Sequence, residues 1–454
     1  MNWQVILTGS AQEGFMKNVF VMGLDPFNEE LLETIDDQAG SEEKYCFHPL
    51  LDLSEIVDAE GGEYPSLDEV RERAKKRFTE VEGGPDAVMG YWDFPTSSFV
   101  PVVAHDAGLP AQPLEAVARC EHKYWSRLEQ KKVLPDMVPE FQALNPFSED
   151  PAAEVRINYP FWLKPVKSHS SFLGFYIDGP DALREHIPEI REKIGLFAKP
   201  FNEFLALLDQ PEEVAAVDGY HCIAEEIISS GFQATVEGYC WHGEVQVFGA
   251  IDSLRSGKHQ SSFSRYQYPS KLPREIQARM IKAARTFMRH IEYDQGTFNI
   301  EFFWDHDDDS LMLLEVNSRI SKSHSPLFFM VDGATNHKVV LDLALGREPD
   351  MPHRKGEHEL SGKFMMRIFK DEVADGVVRQ VPDEDDIERV RERYPDAFVL
   401  PLVEEGTRLS DLKFQDSYSY EIAVVFLGAD RQKQLLDRFD KVEEMLPFKI
   451  DADE

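Results

Sequence analysis

Glu301 and Glu315 stand in two apolar stretches, Phe298-Asn299-Ile300-Glu301-Phe302-Phe303 and Leu313-Leu314-Glu315-Val316-Asn317-Ser318-Arg319. Between them lies the polar run Asp305-His306-Asp307-Asp308-Asp309-Ser310, rich in residues that bond their own backbone in turns. Side chains alternate along a strand, so Asn299, Glu301 and Phe303 share one face, and Leu313, Glu315 and Asn317 share another. If Trp304 pairs near Leu311, Glu301 falls opposite Leu314 or Glu315. Two carboxylates and an amide then converge. Like charges held together are unfavourable unless a cation sits between them. Oxygen donors without Cys or His suit Mg²⁺ better than Zn²⁺. The competing reading is two surface glutamates on unrelated strands, and an acidic chain offers many such pairs. The 305–309 cluster with His306 reads as a solvated turn rather than a metal site.

The spacing Glu301…Glu315-x-Asn317-x-Arg319 resembles the metal-binding signature of ATP-grasp ligases, with the closest motifs between residues 120 and 350. Ile320-Ser321-Lys322-Ser323-His324 adds a similarity to the branch of L-amino-acid ligases and biotin carboxylases. The resemblance implies that Glu301, Glu315 and Asn317 hold two Mg²⁺ ions, with Mn²⁺ as an alternative, bridging the phosphates of ATP. It implies that Arg319 steadies the acyl phosphate or the carboxylate. His324 would orient substrate or donate a hydrogen bond, against the reading of a loop histidine satisfied by backbone. Lys164 matches the lysine on the α- and β-phosphates, and Lys123 the earlier, helix-borne phosphate lysine. The serine-rich run after Lys164, including Ser170, takes the place of a glycine-rich loop over the phosphates. Ile223-Ala224-Glu225-Glu226-Ile227-Ile228 resembles the hinge of the nucleotide clamp, where backbone groups near Glu226 and Ile228 would read the adenine edge, with Glu225 beside them. Gln233 falls where the family has an acidic ribose contact.

The reaction so implied transfers the γ-phosphoryl of ATP to a substrate carboxylate. An amine then displaces phosphate, leaving an amide or peptide bond, ADP and phosphate. Lysines and Mg²⁺ act electrostatically in such a transfer. A biotin-carboxylase-like carboxylation is the alternative among enzymes. In the family it uses a carboxylate base four residues after the Arg, where this chain has Ser323. A non-catalytic nucleotide-binding regulator is the alternative outside enzymes, and it would have little reason to keep Glu301, Glu315, Asn317 and Arg319 together. The loop 255–269, with Lys258, His259, Gln260, Phe263 and Arg265, is expected to border the substrate pocket, its cations suited to a carboxylate.

The implied architecture is α/β and α+β: an N-terminal α/β domain (1–115), an ATP-grasp domain (116–350) with a small lid near 150–225, and a C-terminal α+β domain (351–454). Strands are expected at 4–8, 86–90, 161–166, 222–228, 297–304 and 311–316, and a hairpin of 234–239 with 244–251 across Trp241-His242-Gly243. Helices are expected from the capping box Ser66-Leu67-Asp68-Glu69 to residue 80, over 96–107, 181–194 and 273–290, and over 335–345 before Gly346. The stretch 114–144 reads as mainly helical. Gly9 and Gly14 lack the G-x-G-x-x-G spacing of a dinucleotide site. Cys120 and His122 read as structural.

Composition bounds the partners. With 48 Lys and Arg against 83 Asp and Glu, the net charge of −35 repels phosphate backbones and argues against nucleic acid. A salty cytoplasm or a generally acidic proteome would each account for it. Four scattered cysteines without a C-x-x-C pair fit a reducing cytosol. No apolar window reaches the ~18 residues of a membrane span, and the opening residues read as a strand rather than a signal peptide. The expectation is a cytoplasmic enzyme acting on a small carboxylate and an amine, with no membrane or nucleic-acid partner and with a homodimer allowed.

Overall fold

Val19, Phe20, Val21 and Met22 are all inaccessible to solvent. They form most of β1 (Met16–Met22), the middle strand of a parallel three-stranded sheet with β2 (Lys44–Leu51) and β3 (Ala87–Met89). A parallel strand covered on both faces needs such an unbroken apolar run. The structure, a computed structural model, describes residues 16–38, 43–59, 61–169, 172–228, 231–256, 262–412, 415 and 418–453. The strand expected at 4–8, Gly9, Gly14, Ser170, Lys258, His259 and Gln260 lie outside the described residues. The crossover between β2 and β3 carries the helix Leu67–Glu80. It opens on the expected capping box: Ser66 accepts from the Glu69 N–H, and the Glu69 carboxylate accepts from the Ser66 N–H at 2.8 Å.

The stretch 114–144 is mainly helical, as expected, with a break at His122 and a strand at its end. The helix Leu114–Glu121 stops at His122, whose backbone is extended, and the helix Lys123–Val133 starts there. His122 caps the second helix by accepting from the Trp125 N–H at 3.3 Å and donates through Nε2 to the Val217 carbonyl at 2.7 Å. Leu134 precedes Pro135, a position that disfavours helix. The chain then turns into β4 (Phe141–Leu144).

With β5 (Phe161–Pro165), β6 (Phe175–Ile177) and β7 (Cys222–Glu226), β4 forms an antiparallel four-stranded sheet of order β4-β7-β5-β6. Phe161, Leu163 and Ile177 pack with Leu183, Ile187 and Ile190 of the helix Pro180–Lys193. A second helix, Gly195–Leu205, follows it and was not among the expected elements.

The remaining strands are β8 (Phe232–Trp241), β9 (Glu244–Ser256), β10 (Ser262–Tyr268), β11 (Gly296–Trp304), β12 (Leu311–Asn317), β13 (Leu360–Phe369), β14 (Gly376–Gln380), β15 (Phe398–Pro401), β16 (Ser419–Ala429) and β17 (Lys449–Ala452). Eight of them make one antiparallel sheet, β12-β11-β8-β9-β10-β13-β16-β15, while β14 and β17 form a ribbon. The β8–β9 turn places His242 and Gly243 at φ 50° and 78°, the positive values a two-residue hairpin demands. The expected loop 255–269 is corrected in part. Residues 262–268 are β10, bonded to β9 on one side and β13 on the other. Its alternation of Phe263, Arg265 and Gln267 with Ser264, Tyr266 and Tyr268 suits a pleated, half-buried surface. The sheet therefore runs without interruption past residue 350. Among the described residues, no helix is long and apolar enough to cross a membrane.

Candidate active site

β11 and β12 meet with Asn299 opposite Asn317, Glu301 opposite Glu315 and Trp304 opposite Leu311. Regular pairing from Trp304–Leu311 would put Leu314 opposite Glu301. A bulge between Glu301 and Phe302 absorbs one residue of β12, so that Glu315 takes that place. A bulge re-aims the side chains beyond it, and here it turns Glu315 onto the face of Glu301.

The two carboxylates differ in surroundings. Glu301 accepts from Gln233 Nε2 at 2.8 Å, and Gln233 Oε1 accepts from Arg255 at 2.8 Å. Burial and the charge of Glu315 push the Glu301 carboxyl up to about 7. Burial would raise Glu315 too, but Lys123 and Lys164 hold it below the ordinary carboxylate range. Lys123 Nζ lies 2.9 Å from Glu315 Oε1 and donates to the Ser168 carbonyl at 2.7 Å. Lys164 Nζ lies 2.6 Å from Glu225 Oε2. The other Glu225 oxygen accepts from Arg127 at 2.6 Å, and Arg127 also donates to the Leu313 and Leu314 carbonyls at 2.8 Å each. Burial works against the Glu225 charge, yet Arg127 and Lys164 outweigh it and keep this carboxyl depressed.

Lys123, Lys164, Glu225, Glu226, Ile228, Gln233 and Glu315 line one cleft of about 1500 Å³. Within it the Glu226 N–H donates to the Glu140 carbonyl at 2.9 Å. Lys167, three positions after Lys164, does different work. It is buried against Glu121, which also accepts from Ser318 Oγ at 2.6 Å.

Arg319 lies two residues beyond the end of β12. Its Nε and Nη2 donate to Asp93 Oδ1 at 2.9 and 2.6 Å, and Nη1 donates to the Ile320 carbonyl. Burial opposes the Asp93 charge, but Arg319 first, then His169 and Lys167, hold the carboxyl far below its usual range. His324 is buried, and its partner is a side chain rather than backbone: Nδ1 bonds the carboxylate of Glu237. Glu237 is fully buried and also accepts from Asn336 at 2.9 Å, the Ser321 N–H at 3.3 Å and Asn299 at 3.4 Å. Asn299 in turn accepts from Asn317 at 3.4 Å. Asp93 and Glu237 were not singled out in the sequence. A lone acid within the apolar strand 234–240 was a usable signal for Glu237, whereas no local pattern marks Asp93.

These donors fit a hard divalent cation. Two facing carboxylates and an amide two residues along supply oxygen only, and the raised Glu301 carboxyl forms no ion pair with a described residue, Arg319 acting on it only from a distance. Among the described residues no three His, Cys, Asp or Glu side chains gather for a metal. Phosphate oxygens and water would complete the ligands of an ion held by Glu301, Glu315 and Asn317. A pH dependence follows. A free glutamate titrates near ~4.3 and Glu301 at about 7, so between these values the folded chain holds the extra proton and loses stability as pH rises. In chelator, calorimetry from about pH 5 to about pH 8 should show a steeper decline for the wild type than for Glu301→Gln, and Mg²⁺ should remove the difference. Parallel curves in chelator would contradict it.

Residues 242–350 match the family model for the carbamoyl-phosphate synthase L chain, ATP binding domain. No curated protein matches the chain in sequence. Among solved structures, it is similar to the L-amino acid ligase from Bacillus licheniformis (TM-score 0.68, 15% identity, covering 96% of this chain and 99% of that one). It is also similar to the biotin carboxylase from Campylobacter jejuni (0.61, 13%, 96% and 92%) and to the N5-carboxyaminoimidazole synthase from Aspergillus clavatus (0.61, 14%, 94% and 98%). The mixed α/β architecture expected from the sequence is thus found, and the fold is that of the ATP-grasp proteins.

Proposed function

We propose that this ATP-grasp chain is an ATP-dependent carboxylate–amine ligase, forming an amide bond through an acyl phosphate and releasing ADP and phosphate. The observation that carries the reading is the 2.9 Å contact of Lys123 with Glu315, in the cleft that Lys164 also lines. Each lysine rests on a carboxylate that a phosphate can replace as its partner. When nucleotide enters, its phosphates compete for Lys123 and Lys164, and Glu301, Glu315 and Asn317 are left to hold Mg²⁺. The bound metal would neutralise charge on the transferring phosphoryl group. A substrate carboxylate oxygen attacks the γ-phosphorus and ADP leaves. The amine nitrogen then attacks the acyl carbon, phosphate leaves, and the nitrogen gives up its proton. Arg319, fixed by Asp93, would hold the carboxylate oxygens. His324, its Nδ1–H fixed by Glu237, would present Nε2 to the substrate. The four free cysteines suit a cytoplasmic setting for such an enzyme.

The test is phosphate and ADP release across pairs of amino acids and other small acids and amines. The expected result is equimolar ADP and phosphate that needs both an acid and an amine, with no stimulation by bicarbonate plus biotin. ATP cleavage that follows biotin and ignores every amine would replace this reading with a carboxylase. Tight ATP binding without turnover would make the chain a regulator.

A further inference from the structure

Four cationic side chains, Arg319, Lys322, Lys363 and Arg367, come together, and two of them are matched by acids: Arg319 by Asp93 and Arg367 by Glu421, each at 2.6 Å. Lys322 and Lys363 are not. Lys322 Nζ lies 3.8 Å from the centroid of the Trp92 ring, and it has no hydrogen bond or ion pair with any described residue. Lys363 Nζ donates to Ser323 Oγ at 3.1 Å and lies 5.6 Å from the centroid of the Tyr266 ring. Both lysines are half-buried. Burial, then the charge of Lys363, pulls Lys322 down to about 8, and burial lowers Lys363 as well. Asp25, which acts on Lys322 from a distance, is bonded to Asn28 and to the Tyr91 hydroxyl.

In a chain with 83 acidic residues against 48 basic ones, two ammonium groups that repel each other and form no ion pair with any described residue run against composition; Asp93 acts on Lys322 and Glu421 on Lys363 only from a distance, each bonded to its own arginine. Holding them so is costly unless an anion completes the site. Trp92 follows β3, Tyr266 is in β10, Lys322 follows β12 and Lys363 is in β13, so separate parts of the chain build the place. An incoming amine in its ammonium form would be repelled here, whereas an acid would be attracted.

Resting on the ligase reading, we infer that Lys322 and Lys363 seat a second anionic group of the substrate acid, so that the acid carries a carboxylate or phosphate besides the carboxylate that is activated. One anion between the two lysines accepts from both, and the faces of Trp92 and Tyr266 stand beside them.

Calorimetry tests this with the nucleotide site filled by a non-hydrolysable ATP analogue and Mg²⁺, using malonate, inorganic phosphate and acetate as probes. Malonate or phosphate, whichever matches the natural group, should bind at least about tenfold more tightly than acetate, as a charge-assisted pair implies. Lys322→Met and Lys363→Met should each erase that preference while melting normally, and Lys322→Arg should keep it. Equal affinities for the three anions, or a preference unchanged in both methionine variants, overturns the seat. Turnover separates the two levels of argument. Lysine-dependent malonate or phosphate binding without turnover of any acid would remove the ligase reading and leave the seat. Turnover that ignores the charge of the acid but follows a carboxylate on the amine would keep the ligase and overturn the seat's assignment to the acid.

Discussion

Glu315→Gln should lower the rate of ATP-dependent phosphate release by about a thousandfold or more, the scale on which removing a preorganised charge from a transferring group acts, while the fold survives. The substitution keeps shape and removes one negative charge. It takes away the carboxylate that the β12 bulge brings opposite Glu301, and Asn317 with one glutamate is a poor site for a hard cation. Stability should change little, because Glu315 is one-third exposed and its contact with Lys123 is of the kind worth about 1 kcal/mol or less. Lys123 is then free for phosphate, so nucleotide binding should persist. The assay is phosphate release in buffer rich in Mg²⁺, with the melting temperature alongside. Wild-type turnover in this variant would remove the metal assignment.

Lys164→Met and Lys167→Met should fail in opposite ways, although only two residues separate them. Lys164 faces the cleft, and its loss leaves Glu225 still bonded to Arg127. The fold should stand, while ATP affinity drops by about tenfold to a hundredfold, the worth of a hydrogen bond to a charged group. Lys167 is buried with Glu121, and its loss leaves that carboxylate with Ser318 alone. Breaking a buried pair from one side costs about 3–5 kcal/mol, so urea unfolding should shift markedly while the folded fraction binds ATP normally. Equal ATP affinities in the two variants would mean that Lys164 is not the phosphate lysine.

The local pattern carried the strands, because Glu301 and Glu315 sit in apolar runs with a turn between them. It left their register open by one residue, and that residue is the bulge, a backbone irregularity that alternation cannot reveal. Asp93 and Arg319 are 226 positions apart, so their pairing is a product of tertiary folding with no trace in either neighbourhood. The break at His122 was hidden because its neighbours on both sides favour helix and the residue that satisfies its ring, Val217, is remote. β10 was read as loop because serine and arginine alternate with its aromatics, and its strand character comes from the two neighbours that bond it. The helices Gly195–Leu205 and Ser325–Asp332 begin or continue through glycine and proline, residues that signal interruption when nothing else is known.

The unbroken eight-stranded sheet has a mechanical consequence. Glu301, Glu315 and Lys363 ride on one plate of hydrogen-bonded strands, so their spacing is set by strand separation and cannot open like a jaw. Lys164 rides on the other, four-stranded sheet. Arg127 grips both, through Glu225 on one side and the Leu313 and Leu314 carbonyls on the other. It stands as a pin between the two sheets, and the C-terminal strands belong to the larger of the plates it joins.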